Sequence, residues 1–153
     1  MKVVTRRAIF SGLILAAVRA VAGTPATNTS DAKPAANGSP LRGTLNQDAG
    51  KAPVLALSDG RRITLEGDDP TTAVLNDVRL KGADFEVIGH FVAADRFRVN
   101  GMESPAMFVH KNGKRLMVTY WCNVCYIRTY SPGNCVCCQK YTDLDLIDPS
   151  AAK

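Results

Sequence analysis

The stretch AMFVHKNGKRLMVTYWCNVCYIRTYSPGNCVCCQ, residues 106–139, carries two messages in succession. Its first half holds two apolar runs, residues 106–110 and 115–120, on either side of Lys111-Asn112-Gly113-Lys114. Asn-Gly between such runs is a strong hairpin signal, so two antiparallel strands are expected. That hairpin leads straight into Trp121 and Cys122. The second half holds all five cysteines of the chain: Cys122, Cys125, Cys135, Cys137 and Cys138. The first two form C-x-x-C. The last three form C-x-C-C, in which Cys135 and Cys138 again stand in C-x-x-C relation. Two such pairs on a short connection can place four thiolates around one tetrahedral ion. A C-x-x-C turn points both sulfurs to one side and lets the intervening amides donate to them. Pro132-Gly133 suits a tight turn just before the second group. Residues 126–130 and 142–147 alternate polar and apolar, and read as further strands. The cysteine groups therefore fall at turns between strands.

This spacing resembles a zinc-ribbon or rubredoxin-type site, in which two loops clasp a metal. Cys122, Cys125, Cys135 and Cys138 are the expected ligands. Cys137 is surplus: it could replace a neighbour, remain a free thiol or bind a second partner. Zinc is the first expectation, with iron or an iron–sulfur cluster as the alternative, since thiolates suit each of them. His110 is a further ligand candidate because its hairpin delivers Cys122, and His90 a weaker one; both read more simply as strand residues. A c-type haem is excluded, as Tyr126 and not histidine follows Cys125. Two other accounts of the cysteines stand beside the metal. In an exported chain they could form two disulfides and leave one thiol, or Cys122 and Cys125 could be a redox-active dithiol. Tyr120, Trp121, Tyr126, Tyr130 and Tyr141 are expected to shield the sulfurs, with a partner-binding face as the sharper reading. Arg128 could offset thiolate charge, but is expected as an exposed strand residue.

Upstream, the cues are again β. Residues 41–45, 54–57 and 61–66 read as strands, with a hairpin turn at Ser58-Asp59-Gly60. Asp69 then Pro70 opens a short helix, by cap and by first-turn proline. Residues from Phe85 to Phe91 form a fourth strand, Ala93-Ala94-Asp95 a turn, and Phe97 and Val99 a fifth strand. The GTL of residues 43–45, the DGRRITLEGD hairpin, the short helix, and KGADFEVIGHF followed by RFRV together resemble the small OB-like domains of exported bacterial proteins. That resemblance implies a five-stranded, partly open Greek-key barrel, and no particular ligand. Phe85, Phe91 and Phe97 are expected in its core. The predicted fold class is thus mainly β: an OB-like five-stranded barrel with one short helix, and a C-terminal cysteine-rich β-hairpin module.

The first segment, MKVVTRRAIFSGLILAAVRAVAG, reads as an export signal. It has a basic start, an apolar run over residues 8–18 and an A-x-A site at Ala20 and Ala22. Arg6-Arg7 resembles a twin-arginine motif, a route that carries folded proteins, often with a metal installed. The expected organisation is an export signal over residues 1–22, a flexible linker over 23–40, the OB-like domain over 41–104 and the cysteine module over 105–149. The linker holds no large apolar side chain to offset its ordering entropy. A periplasmic or secreted location follows, with no membrane span in the mature protein.

The net charge of +5 comes mainly from that segment. Without Lys2, Arg6, Arg7 and Arg19, 15 basic residues face 14 acidic ones, so no nucleic-acid partner is indicated. There is no serine elbow, phosphate loop or zinc-protease helix. The expectation is a non-enzymatic metal-binding module with an unknown protein or small-molecule partner. A periplasmic electron-transfer protein and a disulfide-stapled domain are the alternatives.

Overall fold

A computed structural model describes residues 38–101 and 105–151. The expected export signal, with Arg6, Arg7, Ala20 and Ala22, lies outside the described residues, as does the linker up to residue 37. Strand β1 (Ser39–Asn46) begins two residues earlier than the sequence suggests, because Ser39 and Pro40 pair with Gly89 and Ile88. No helix among the described residues is long and apolar enough to cross a membrane.

Strands β1, β2 (Val54–Ala56) and β3 (Arg62–Glu66) form an antiparallel meander. The turn at Asp59-Gly60 has Gly60 at φ 85°, in the left-handed region that glycine enters without a side-chain clash. The helix α1 (Asp69–Leu75) follows, then a 3-10 turn (Val78–Leu80) and the long strand β4 (Asp84–Ala93). Strand β5 (Arg96–Val99) runs antiparallel to β4 and parallel to β3, with Leu65 opposite Phe97. β4 also pairs with β1 from Thr44↔Asp84 to Ser39↔Gly89. The order β1-β2-β3-β5-β4-β1 closes the ring of five strands, a fully closed barrel where a partly open one is expected. The mainly β class, the five-stranded barrel and the one short α-helix all match expectation.

Alternate residues point inward and fill the barrel, as a small barrel requires. Leu45, Leu55, Ile63, Leu65, Phe85, Val87, Phe97 and Val99 are buried, and Val74, Leu75 and Leu80 close one end. Phe91 departs from expectation: it is 47% exposed. The pairing of β4 with β1 ends at Gly89, so Phe91 lies past the last β1 partner and rests edge-on against Phe97, 5.1 Å away. Gly89 of β4 stands opposite Val99 of β5. A Cβ at that position would stand 2.0 Å from the Arg98 carbonyl oxygen.

β4 has room for a further partner on the edge that carries β5. Its first half there pairs with β6 (Met107–Lys111). β6 turns at Asn112 (φ 53°) and Gly113 (φ 73°) into β7 (Lys114–Trp121). Two successive residues with positive φ make the turn that matches strand twist. β7 pairs with the two-residue β8 (Arg128–Thr129) and with β9 (Asp143–Ile147). One continuous sheet therefore runs from the barrel to the cysteines.

The helix cap lies one residue before the expected one. The Asp68 carboxylate, not that of Asp69, accepts from the Thr71 amide at 2.9 Å. This places Pro70 in the first turn, where its missing N–H costs nothing. Asp68→Ala should cost about 1 kcal/mol of stability. Asp69→Ala should cost much less, and urea unfolding of the two variants compares them directly.

Candidate metal centre

β7 ends at Trp121, and the chain folds into a loop whose backbone geometry is repeated 13 residues later. In the first loop the Cys122 amide donates to the Ile127 carbonyl at 2.9 Å, and the Tyr126 amide to the Cys122 carbonyl at 2.9 Å. In the second, the Cys135 amide donates to the Lys140 carbonyl at 2.8 Å, and the Gln139 amide to the Cys135 carbonyl at 2.9 Å. Tyr126 and Gln139 occupy the same place and both are left-handed, with φ of 57° and 60°. The bases correspond too, as Trp121 pairs with Arg128 and Asn134 bridges Tyr141. The chain thus builds one cysteine loop twice.

The sequence suggests a strand over residues 126–130, whereas only Arg128 and Thr129 are strand. Tyr126 must turn left-handed to close the first loop, and a strand residue cannot do that. The second loop is held from below as well. The Thr142 amide and hydroxyl both donate to the Gly133 carbonyl, at 2.9 and 3.0 Å.

This geometry brings four of the five cysteines together. The Sγ atoms of Cys122, Cys125, Cys135 and Cys138 all lie within 4.8 Å of one another. Cys122 and Cys138 are 3.5 Å apart, and all five cysteines are free thiols. A tetrahedral ion with metal–sulfur bonds of about 2.3 Å holds its sulfurs about 3.8 Å apart, so the donor set fits a metal. The first cysteine of each loop is buried, and the second is half-buried. Cys137 is exposed. The repeat explains why it is surplus: it stands where the first loop has Val124, at the outer tip.

The backbone prepares the site for anionic sulfur. The Cys125 amide donates to Cys122 Sγ at 3.4 Å. Together with the Val124 amide it lowers the Cys122 thiol to about 7. Cys125 is pushed strongly upward, first by hydrogen bonding with the Cys137 thiol and then by burial, with Cys138 and Cys135 adding to it. Four thiols at this distance resist losing all their protons unless a cation supplies the opposite charge.

His110 is held elsewhere. Its Nε2 lies 2.7 Å from Glu86 Oε2, and Arg115 binds the other oxygen of Glu86. His90 is an exposed residue of β4, opposite Arg98. Arg128 is only part-exposed: it bonds Asp145 at 2.7 Å and lies over the Trp121 ring at 5.0 Å. The aromatic residues divide. Tyr120 is fully buried in the barrel core, Trp121 is half-buried, and Tyr126, Tyr130 and Tyr141 are exposed. They do not form the small enclosing core that the sequence suggests.

A polar network that no sequence pattern marks ties this module to the barrel. Buried Asp77 accepts from Tyr120 Oη at 3.0 Å and from Arg79, whose Nη2 is 2.7 Å away. The Arg79 guanidinium lies between the rings of Tyr120 and Tyr141, 5.3 and 5.8 Å from their centroids, and reaches the Thr142 carbonyl. It thus ties the 3-10 turn of the barrel to the base of the second loop. Asp77-x-Arg79 gives a local cue, but Tyr120 lies 43 residues away.

No protein-family model, curated protein or solved structure matches this chain.

Burial alone would raise Asp77; its bonds to Arg79 and Tyr120 outweigh that, so its carboxyl sits below the ordinary aspartate value. The stability it confers is therefore complete above the ordinary aspartate range and is lost as the pH falls through the lowered value. Tyr120→Phe should cost about 2 kcal/mol at neutral pH, as a buried hydrogen bond to a charged group does. Urea midpoints of the two proteins across an acid series should converge as Asp77 protonates. A gap that stays constant at all pH values would show that the hydroxyl acts through something other than the carboxylate.

Proposed function

We propose that this is an exported, non-enzymatic, small metal-binding protein. In this reading the two loops hold one structural zinc ion, and the barrel serves as a binding module for a protein or small-molecule partner in the periplasm or outside the cell. The observation that carries the reading is the repeated loop that converges four sulfurs within 4.8 Å. Four protein ligands fill a tetrahedral shell, which is the pattern of a structural rather than a catalytic zinc site. The ion would supply the positive charge that four thiolates require, and would fasten the two loops to each other.

Export is supported by the reading of residues 1–22. The non-enzymatic character rests on what the site offers: four sulfurs that fill the shell of one ion and leave no open position on it. Iron at the same four sulfurs would instead make an electron carrier. That second reading is favoured by the partial exposure of Cys125 and Cys138, which brings two of the four sulfurs close to the surface.

Elemental analysis of protein purified without added metal tests the ligand set. The wild type should carry one zinc ion per chain. Cys122→Ser should lose it, whereas Cys137→Ser should keep it. Iron in place of zinc would select the electron carrier. Retention by Cys122→Ser together with loss by Cys137→Ser would show that the ligands are a different set.

A further inference from the structure

Away from the sulfur centre, a groove of about 320 Å³ opens where the barrel wall meets β9. Its lining is polar and apolar in about equal measure, and the apolar part is aliphatic. Leu80 and Val109 are buried, and Leu144 and Leu146 of β9 are half-buried. Its rim is charged, and most of that charge is already matched. Asp84 is bonded by Arg42 at 2.5 Å, His110 by Glu86 and Arg79 by Asp77. The exceptions are Lys81, at the end of the 3-10 turn, and Lys111, at the end of β6. Both are exposed, and neither has an ion-pair partner among the described residues.

We infer that this groove binds a small amphipathic monoanion: a compact hydrocarbon body with one carboxylate, of the class of medium-chain fatty acids. The volume lies at the lower end for small-molecule sites. An aliphatic floor bordered by polar groups orients such a ligand, with its body on the leucines and its head toward the ammonium groups. A wholly polar anion would leave the floor wet, and a neutral hydrocarbon would leave both lysines without a partner. The lysine ammonium is a mobile point charge that can follow a single carboxylate. The groove shares no residue with the four-cysteine cluster, so the inference stands apart from the metal reading.

The probes are octanoate and octanol, which differ only in the head group, titrated into the full chain while backbone amide signals are followed by NMR. Octanoate should shift the signals of Lys81, Lys111, Leu144 and Leu146 in a saturable way. Octanol, and octanoate with the Lys81→Glu/Lys111→Glu variant, should each bind about tenfold more weakly, the loss of one charged contact. Equal affinity for octanol, no effect of charge reversal, shifts centred on other residues, or no saturation would each overturn the inference. Both lysines are solvent-exposed, so the variant should melt like the wild type. If it does not, Lys81→Gln and Lys111→Gln provide the same comparison singly.

Discussion

The molecule depends on β4 being paired along both edges. Ten residues of one strand take β1 on one side and, on the other, β6 beside the first half and β5 beside the second. The β1 and β5 pairings close the barrel. The β6 pairing exports the sheet beyond the barrel, and only through it does the hairpin reach Cys122. Gly89 makes the arrangement feasible, since any side chain there would meet the Arg98 carbonyl. A protein interior has no slack to absorb such an overlap. The barrel and the cysteine loops are therefore mechanically one object, although the ligands occupy a small part of the chain.

The second constraint is the direction in which β7 leaves the sheet. Tyr120 is the last inward residue before the cysteines, and its ring belongs to the barrel core. Its hydroxyl reaches Asp77, and Asp77 in turn fixes Arg79 against Tyr141. A polar network of this kind is stable only when every member is satisfied. Here it ties the base of each loop to the barrel. Preorganisation of that sort favours a metal over scattered thiols, because the ion need not pay to order its own ligands.

Much of this was legible in the sequence. Asp59-Gly60 and Asn112-Gly113 marked their turns, period-two patterning marked the barrel strands, and the spacing of Cys122, Cys125, Cys135 and Cys138 marked the cluster. What stayed hidden had physical causes. Tyr126 and Gln139 are left-handed without being glycine, so nothing in their identity signals the turn. The two loops share little beyond their cysteines, so the 13-residue repeat exists in the backbone far more than in the residue types. Phe91 keeps the alternation of a core residue, but it lies beyond Gly89, where the β1 partner of β4 ends. Asp77 and Tyr120 are brought together only by the tertiary fold, and the pairing of His110 with Glu86 arises in the same way.

In the arrangement we propose, one ion is held by four sulfurs, two from each copy of the loop. X-ray absorption at the edge of the bound metal tests it most directly. The expected spectrum shows a single shell of four sulfur neighbours at about 2.3 Å with no nitrogen or oxygen among them. A shell that contains a nitrogen or oxygen ligand, or fewer than four sulfurs, would contradict it.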